Sequence, residues 1–354
     1  MMKENNMFRK IDLKVNSLIV MVVLLYAFGV YLIFRQFGLL DYYRLSIYSS
    51  MLYLSLINIL LIKAVVYFVK YTRRPFVEKG LKVIANDFIN RAFDKSFLIN
   101  VAVPMLVLPP FFSLFSATKS NIYRIHDFTW DRTFMTIDRM VHFGFDPWKI
   151  TFAIFGGPYA TLFLNFVYNL WFGVMFFFVL WMIVSVDYGK IRFQFLLTFL
   201  LTWIVIGSVL AIMFSSAGPV YYGRITGDNS IFEPLMTLLK SINEPLKDNY
   251  FYIYALDTQE YLWDAYKSSE VQLGTGISAM PSMHLAIAAL LYFTARELNR
   301  KAGYIFLIYL VLIEIGSIHL GWHYAIDGYV SILLTWLMWL GTKVISNRIY
   351  QRKE

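Results

Sequence analysis

Long apolar segments, separated by short polar connections, dominate the hydrophobic pattern of this chain. Eight of them approach or exceed the roughly 20 residues that cross the hydrocarbon core of a bilayer as a helix. They are Val15–Phe34, Ser46–Val69, Phe97–Phe115, Tyr159–Val186, Phe193–Phe214, Pro281–Leu298, Ala302–Leu320 and Tyr324–Ile345. The pattern predicts an all-α integral membrane protein with about eight transmembrane helices.

The polar connections suggest how these helices are grouped. Two of the connections, Val77–Lys95 and Ile122–Ile150, mix apolar and charged residues as amphipathic helices in the membrane interface do. We place a boundary near residue 96. Residues 1–96 are expected to form two N-terminal transmembrane helices and an interfacial helix, and residues 97–354 a six-helix core.

The composition supports a membrane protein. Hydrophobic residues make up 58% of the chain and charged residues 16%, whereas soluble domains are about 45–50% apolar and about 25% charged. The net charge of +9 is spread over short connections and forms no basic arm, so we predict no nucleic-acid partner. The absence of cysteine excludes disulfides, thiolate metal sites and a cysteine nucleophile.

The distribution of Lys and Arg predicts the orientation in the membrane. Eight spans place both termini on one side, and the connections on that side carry most of the basic residues. The positive-inside rule therefore predicts that both termini are cytoplasmic. The starts of the sixth and eighth spans, and the longest connection (residues 215–280), then lie on the extracytoplasmic or lumenal side.

One histidine motif stands where the eighth span begins. His323 and Asp327 are four residues apart, so on a helix they share one face. A carboxylate in that position can hold one ring nitrogen of the histidine and leave the other free to act as a nucleophile.

A second histidine motif stands where the sixth span begins. Pro281 is favoured in the first turn of a helix, and His284 follows it within that turn. The unpaired N–H groups of such a turn, with the hydroxyl of Ser282, suit a bound anion. Together the two motifs predict phosphoryl transfer, in which His323 attacks phosphorus and His284 protonates the leaving oxygen.

These residues resemble the second and third signature motifs of the type 2 phosphatidic acid phosphatase superfamily, P-S-G-H and S-R-x5-H-x3-D. The chain has P-S-M-H at Pro281–His284 and H-Y-A-I-D at His323–Asp327. The second is similar to the branch of the inositol phosphorylceramide synthases, where G-x-H-Y-x-x-D is common. The resemblance covers about residues 97–346.

The resemblance implies a role for each matching residue. His323 corresponds to the nucleophile that forms a phosphohistidine, and Asp327 to its orienting partner. His284 corresponds to the general acid that later serves as base, and Ser282 to the serine that contacts the phosphate. It also implies a site without metal or cofactor.

The chain departs from the family pattern at three places. Met283 replaces the glycine of the second motif, which narrows the approach to the phosphate. The Ser-Arg pair of the third motif falls at Gly316 and Ser317, so its phosphate-binding arginine is absent. The first motif, K-x6-R-P, has no match.

A cation is therefore missing from the expected site. We predict that Arg224, just beyond the fifth span, supplies it, because an arginine can hold a phosphate through two hydrogen bonds. Tyr222 is expected to add a donor. Arg132, Arg139 and Lys119, predicted on the same side, are alternatives.

The sequence thus predicts a membrane enzyme that transfers a phosphoryl-containing lipid headgroup. With a ceramide-type acceptor it would be a phosphosphingolipid synthase, and with water a lipid phosphate or isoprenyl diphosphate phosphatase. The synthase is preferred because the third-motif arginine is missing and the longest connection could shield the intermediate from water.

Other functions stay open from the sequence. A transporter with a proton relay would use charged residues within the spans, of which Lys63 and Glu314 are examples, and a scramblase would use the same cavity. His319, His323 and Asp327 could instead hold zinc together with His284.

Overall fold

The computed structural model describes residues 2–48, 95–246, 252–268 and 274–351, and within 49–94 only positions 54, 57, 58, 61, 62, 64 and 65. Every regular element in these ranges is helical, and no strand occurs in them. The predicted all-α class is therefore confirmed.

Two long helices begin the described structure, α1 (Met2–Gln36) and α2 (Lys95–Ser120). They pack side by side, and a buried hydrogen bond of 3.0 Å joins the amides of Asn16 and Asn100. Three prolines lie inside α2, which nevertheless runs without a break to Ser120. Neighbouring helices and side chains can satisfy the carbonyl groups that such prolines release.

The helices of the core follow in one series. They are α3 (Asp131–Val141), α4 (Pro147–Phe155), α5 (Pro158–Asn169), α6 (Trp171–Val184), α7 (Gly189–Ile204), α8 (Glu233–Asn243), α9 (Tyr254–Ser268), α10 (Met283–Leu298), α11 (Arg300–His319) and α12 (Ala325–Tyr350). A π-helical segment, Val205–Leu210, continues α7 to a last turn, Ala211–Met213.

Helix α10 is the centre of the core. It packs against α6, α7, α11 and α12, and the side chains from Leu285 to Leu291 have no exposed surface. A helix that is apolar on every face is buried among other helices rather than at a surface. Its N-terminus, which carries His284, is consequently held by the helices around it.

Six helical segments of the described chain are long and apolar enough to cross a membrane. They are Asp12–Gln36, Leu98–Ser120, Pro158–Val184, Val186–Met213, Arg300–His319 and Ala325–Tyr350. The predicted span Pro281–Leu298 corresponds to α10, which has only 16 residues. The predicted span Ser46–Val69 lies largely outside the described residues, and the amphipathic stretch Val77–Lys95 almost entirely so. The count of eight spans and the boundary near residue 96 therefore stay predictions.

The second predicted amphipathic stretch, Ile122–Ile150, contains α3 and the start of α4. Helix α3 leaves Met140 and Val141 exposed, as a helix in an interface would. Its acidic residues Asp131 and Asp138, however, are buried. Both are buried because their carboxylates accept hydrogen bonds, Asp131 from the loop after α7 and from Tyr324, and Asp138 from the start of α12.

Candidate active site

A tight turn between α11 and α12 carries the first histidine. Gly321 has φ +75°, a left-handed conformation that glycine adopts at little cost. The N–H groups of Trp322 and His323 both donate to the carbonyl of Ser317, at 2.9 and 3.3 Å. The turn is thereby closed on the end of α11, and His323 is fixed directly before α12.

Asp327 is fully buried in the first turn of α12. One of its carboxylate oxygens, Oδ2, accepts the N–H of Tyr324 at 3.0 Å and lies 3.3 Å from Nδ1 of His323. A carboxylate at this helix position satisfies an N–H group that has no partner within the helix. The same oxygen faces Nδ1 of the imidazole, which is the arrangement that the orienting role predicted for Asp327 requires.

The environment of His323 favours a neutral ring. Burial, with Lys119 as a second contribution, lowers the pKa of His323 to about 3. A neutral imidazole has one nitrogen with a free lone pair. The ring is therefore in the protonation state that a nucleophile needs at neutral pH.

His284 lies opposite, as the second residue of α10. Its ring stacks on Tyr168, with 4.5 Å between ring centroids, and contacts Trp171 at 4.3 Å. Trp171 also donates its indole N–H to the His284 carbonyl at 3.0 Å. The centroids of the His284 and His323 rings are 5.9 Å apart, so both rings can contact one phosphoryl group.

Both histidines line a cavity of about 410 Å³, and so does Lys119 from the last turn of α2. Lys119 is the one Lys or Arg among the described residues that line it, and none of them is an Asp or Glu. Much of the remaining wall is aromatic. It includes Phe112, Phe115, Trp171, Phe172, Phe176 and Trp203. The cavity thus has a polar end with three basic side chains and a wall suited to hydrocarbon.

The segment 274–278 fixes the backbone of Lys119. Gly276 has φ +103°, and a Cβ placed on it would lie 2.7 Å from the carbonyl carbon of Lys119. The hydroxyls of Thr275 and Ser120 are 2.8 Å apart. Because the segment lies directly on the end of α2, it determines where the Lys119 side chain enters the cavity.

Asp131 of α3 holds the loop beside the His323 turn. Its carboxylate accepts the N–H groups of Ala217 and Gly218, at 2.9 and 2.8 Å, and the hydroxyl of Tyr324 at 2.9 Å. Burial raises the pKa of Asp131, and these hydrogen bonds oppose the rise. The residue ties the loop after α7 to the residue that follows His323.

Asp138, seven residues further along α3, holds the start of α12. Its carboxylate accepts the N–H groups of Ala325 and Ile326, at 3.2 and 3.1 Å. These are the first residues of the helix that carries Asp327, where N–H groups lack intrahelical partners. Burial raises the pKa of Asp138 to about 6, and the same N–H groups oppose the rise.

Sequence reasoning assigned neither acid to the site. Both belong to the predicted amphipathic stretch Ile122–Ile150, which mixes charged and apolar residues. The available signal was their spacing, because residues seven apart lie on the same face of a helix. The identity of their partners could not be read from α3 alone.

Three of the four predicted substrate-binding residues, Arg224, Tyr222 and Ser282, do not line the cavity. Arg224 forms a two-pronged ion pair with Glu260 and lies over the ring of Trp263, 5.1 Å from its centroid. Tyr222 is buried against Phe232, with 5.2 Å between ring centroids. Neither lines the cavity among the described residues.

Ser282 and Met283 have different positions at the start of α10. Ser282 is fully buried and accepts the N–H of Leu285 at 3.5 Å as the helix cap. Its own N–H donates to the carbonyl of Asp327 at 3.3 Å, which joins α10 to α12. Met283 lines the cavity, and Ser282 does not.

His319 has a structural environment. Its ring nitrogens lie 2.9 Å from the Thr161 hydroxyl and 3.3 Å from that of Thr151. The ring stacks on Phe152, with 3.8 Å between centroids. No group of three or more His, Cys, Asp or Glu in the described part of the chain is arranged to hold a metal.

Comparison with known proteins gives one match. A family model described as the PAP2 superfamily matches residues 132–341. No curated protein and no solved structure matches the chain. The matched region contains His284, His323 and Asp327, and it leaves Lys119 outside. Since it covers more than half of the chain, the protein belongs to the PAP2 superfamily, whose members are phosphatases or phosphotransferases.

Proposed function

We propose that this protein transfers the phosphoryl-containing headgroup of a membrane phospholipid to an alcohol acceptor of the ceramide type, through a phosphohistidine on His323. The observation that carries the proposal is the convergence of His284, His323 and Lys119 on one cavity with a largely aromatic wall. A phosphoryl group bound there would contact His323 as the nucleophile and His284 as the proton donor, and the lipid chain would contact the aromatic wall.

The charge of the cavity favours a phosphodiester. Lys119 is the one Lys or Arg among the described lining residues, and no Asp or Glu lines the cavity. A phosphodiester carries one negative charge, whereas a phosphate monoester or a diphosphate carries more at neutral pH. The charge of such a group would be compensated only with His284 protonated as well as Lys119, and burial opposes two neighbouring cations in a place of low dielectric.

The chemistry proceeds in two displacements. The ring nitrogen of His323 that does not face Asp327 attacks phosphorus, and the bond from phosphorus to the lipid alcohol breaks. His284, as the imidazolium, donates its proton to the departing oxygen. The hydroxyl of the acceptor then attacks phosphorus, His284 takes its proton, and the bond from phosphorus to His323 breaks. Each proton given in the first step is regained in the second.

Lys119 and the start of α10 are expected to hold the phosphoryl oxygens. The first N–H groups of a helix have no partner within it and attract anions, and both Met283 and His284 line the cavity. The ammonium of Lys119 forms no ion pair with the other described residues. It is therefore available to stabilise the charge that develops at phosphorus.

Transfer rather than hydrolysis requires that water is kept from the phosphohistidine. The long connection after α7 contributes part of the cavity wall, through Tyr221, through Thr258 and Leu262 of α9, and through 274–278. This cover supports the transferase. By the distribution of Lys and Arg, we place the site on the extracytoplasmic or lumenal side with both termini in the cytoplasm.

Purified protein in lipid vesicles tests the proposal. Phosphatidylinositol labelled in its headgroup and phosphatidic acid labelled in its phosphate are supplied separately, each with and without ceramide. We expect label to move from phosphatidylinositol to ceramide, and His323→Ala to abolish the transfer. An acid-labile, alkali-stable label should appear on the wild-type chain and be absent from the variant.

Other outcomes identify the competing functions. Release of inorganic phosphate from phosphatidic acid, regardless of ceramide, would establish a phosphatase instead. Lipid movement between leaflets that persists in His323→Ala, with no covalent label, would establish a scramblase or transporter and overturn the enzyme.

A further inference from the structure

Glu314 of α11 has no role in the chemistry above, yet it lies directly behind the catalytic pair. A Cβ placed on Gly328 of α12 would stand only 1.9 Å from Oε2 of Glu314. The carboxyl group therefore packs against the backbone of the residue after Asp327. Only glycine leaves room for this approach.

Four buried polar atoms in this region lack hydrogen-bond partners among the described residues. They are both carboxyl oxygens of Glu314, Oδ1 of Asp327 and the hydroxyl of Tyr168. Glu314 is near enough to interact electrostatically with Asp327 and with Tyr168. A buried polar atom without a partner is costly, and here several share one place.

The neighbouring carboxyl groups differ in their donors. Asp131 and Asp138 each accept two backbone N–H groups, and Asp327 accepts one N–H and faces His323. No donor among the described residues reaches Glu314. When buried carboxyl groups lie close together, they do not all ionise, and the proton stays on one of them. Glu314, which has no donor to stabilise a negative charge, would cost the most free energy to ionise and is therefore the group that keeps the proton.

We propose that Glu314 is a positioning residue: it stays a neutral carboxylic acid and donates its proton to the unpaired Oδ1 of Asp327, which leaves Oδ2 for His323. The inference rests on the proposed function, because that function gives His323 and Asp327 their role in catalysis. Ionisation of Glu314 at high pH would place a second negative charge beside Asp327 and disturb the orientation of His323. Glu314 thus contributes to the alkaline limit on activity, beside the loss of the acid form of His284 that the mechanism itself requires.

Other titratable groups face Glu314 from every neighbouring element. They are Asp138 on α3, Tyr168 on α5, and Asp327 and Tyr329 on α12; Tyr309, on the same helix as Glu314, acts on Tyr168. The two aspartates are held by the contacts given above, and the tyrosines titrate at high pH. Variants of Glu314 are therefore needed to measure its contribution to the limit.

Glu314→Gln tests the neutral acid, since an amide keeps the size, has an N–H to donate and has no charge at any pH. We expect turnover at pH 7 to be kept and the alkaline limb of the kcat profile to move upward by about one pH unit or more. Glu314→Leu, which cannot donate, should lower kcat about tenfold. Glu297→Gln, an exposed pair partner of Lys343, is the charge-matched control and should leave the profile unchanged. A Glu314→Gln profile parallel to that of the wild type would overturn the proposal.

A second readout does not depend on activity. The infrared spectrum of the wild type at pH 7 should contain the carbonyl band of a protonated carboxylic acid, which Glu314→Gln loses and Glu297→Gln keeps. The inactive His323→Ala protein should keep it too. If the band belongs to Glu314 but no phosphoryl transfer is found, only the proposed function fails. If transfer is found and the band is the same in Glu314→Gln, only the neutral acid fails.

Discussion

The two sides of His323 differ in charge. In front of the ring lies the cavity, lined by His284 and Lys119 and, among the described residues, by no acid. Behind it lie the carboxyl groups of Asp131, Asp138, Glu314 and Asp327, and the first three are close enough to act electrostatically on Asp327. Three of the four accept backbone N–H groups.

The difference separates two tasks that one cluster of charges could not perform. An anionic substrate is attracted more strongly by a cavity lined by basic groups alone than by one that also holds acids. The turn and the helix start that carry His323 and Asp327 need acceptors for their N–H groups. Because the acids lie on the backbone side of the turn, they accept these N–H groups without adding negative charge to the cavity.

After the loss of His323 itself, the largest effect should come from removing the cation in front of the ring. Lys119→Met keeps the length of the side chain and removes its charge, and we expect kcat/KM for transfer to fall by about 10²–10³-fold. Steady-state transfer from phosphatidylinositol measures it.

Arg224→Met is the matched charge-loss variant. Arg224 pairs with Glu260 at a partly exposed site, so its loss should cost less than about fivefold. Equal losses in the two variants would contradict the assignment of Lys119.

Asp138 tests the acids behind the ring. Asp138→Ala removes the acceptor of two N–H groups at the start of α12, and a small displacement of Asp327 and His323 should follow. We expect kcat to fall on the order of 10–100-fold, measured with the same transfer assay. Asp264→Ala, which removes an exposed carboxylate paired with Lys267, is the control. An unchanged kcat in Asp138→Ala would show that the start of α12 is held without it.

Gly276→Ala alters the support of Lys119 without changing any charge. The substitution forces a side chain into a positive-φ position and against the backbone of Lys119, at a cost of about 1–3 kcal/mol. Thermal unfolding in detergent should show a lower Tm. Gly227→Ala, at a positive φ with open space around it, separates backbone strain from the contact. Gly276→Ala should also lower transfer activity, because the new contact displaces Lys119, and Gly227→Ala should lower it less. An equal loss of activity in the two variants would contradict the role of the contact.

The smallest effect concerns the neutral ring of His323. Its pKa falls from about 6.5 in an unfolded chain to about 3 in the folded protein. Below about pH 6.5 the unfolded state therefore binds a proton that the folded state does not bind, and the free energy of unfolding falls as the pH is lowered. His323→Gln removes this term, so at pH 5.5 the wild type should lose about 2–4 °C more in Tm than the variant, relative to pH 7.5. Parallel losses would show that the ring is charged when folded.

Much of the site could be predicted because its signals are local. Pro281 and His284 fall within one helical turn, and His323 and Asp327 are four residues apart, so helical geometry alone brings each pair together. The apolar runs likewise predicted the helices that carry them. The two motifs can meet at one cavity because α10 and α12, which carry them, begin at the same end of the helical core.

The cation could not be predicted in the same way. Arg224 and Lys119 are both basic residues beside the end of a span, and nothing local distinguishes them. Arg224 forms an ion pair with Glu260, 36 residues further along the chain. Lys119 instead lines the cavity, because the segment 274–278 packs on the end of α2.

The sequence by itself thus determined the helical membrane architecture and the pairing of the proposed catalytic residues, because both follow from periodicity and spacing within single segments. Only the tertiary structure decided the charges around them. Whether a carboxylate caps a helix, a lysine faces a cavity or a glutamate lies behind Asp327 depends on elements distant in the chain. Those contacts form when α2, α3, α11 and α12 pack around the start of α10.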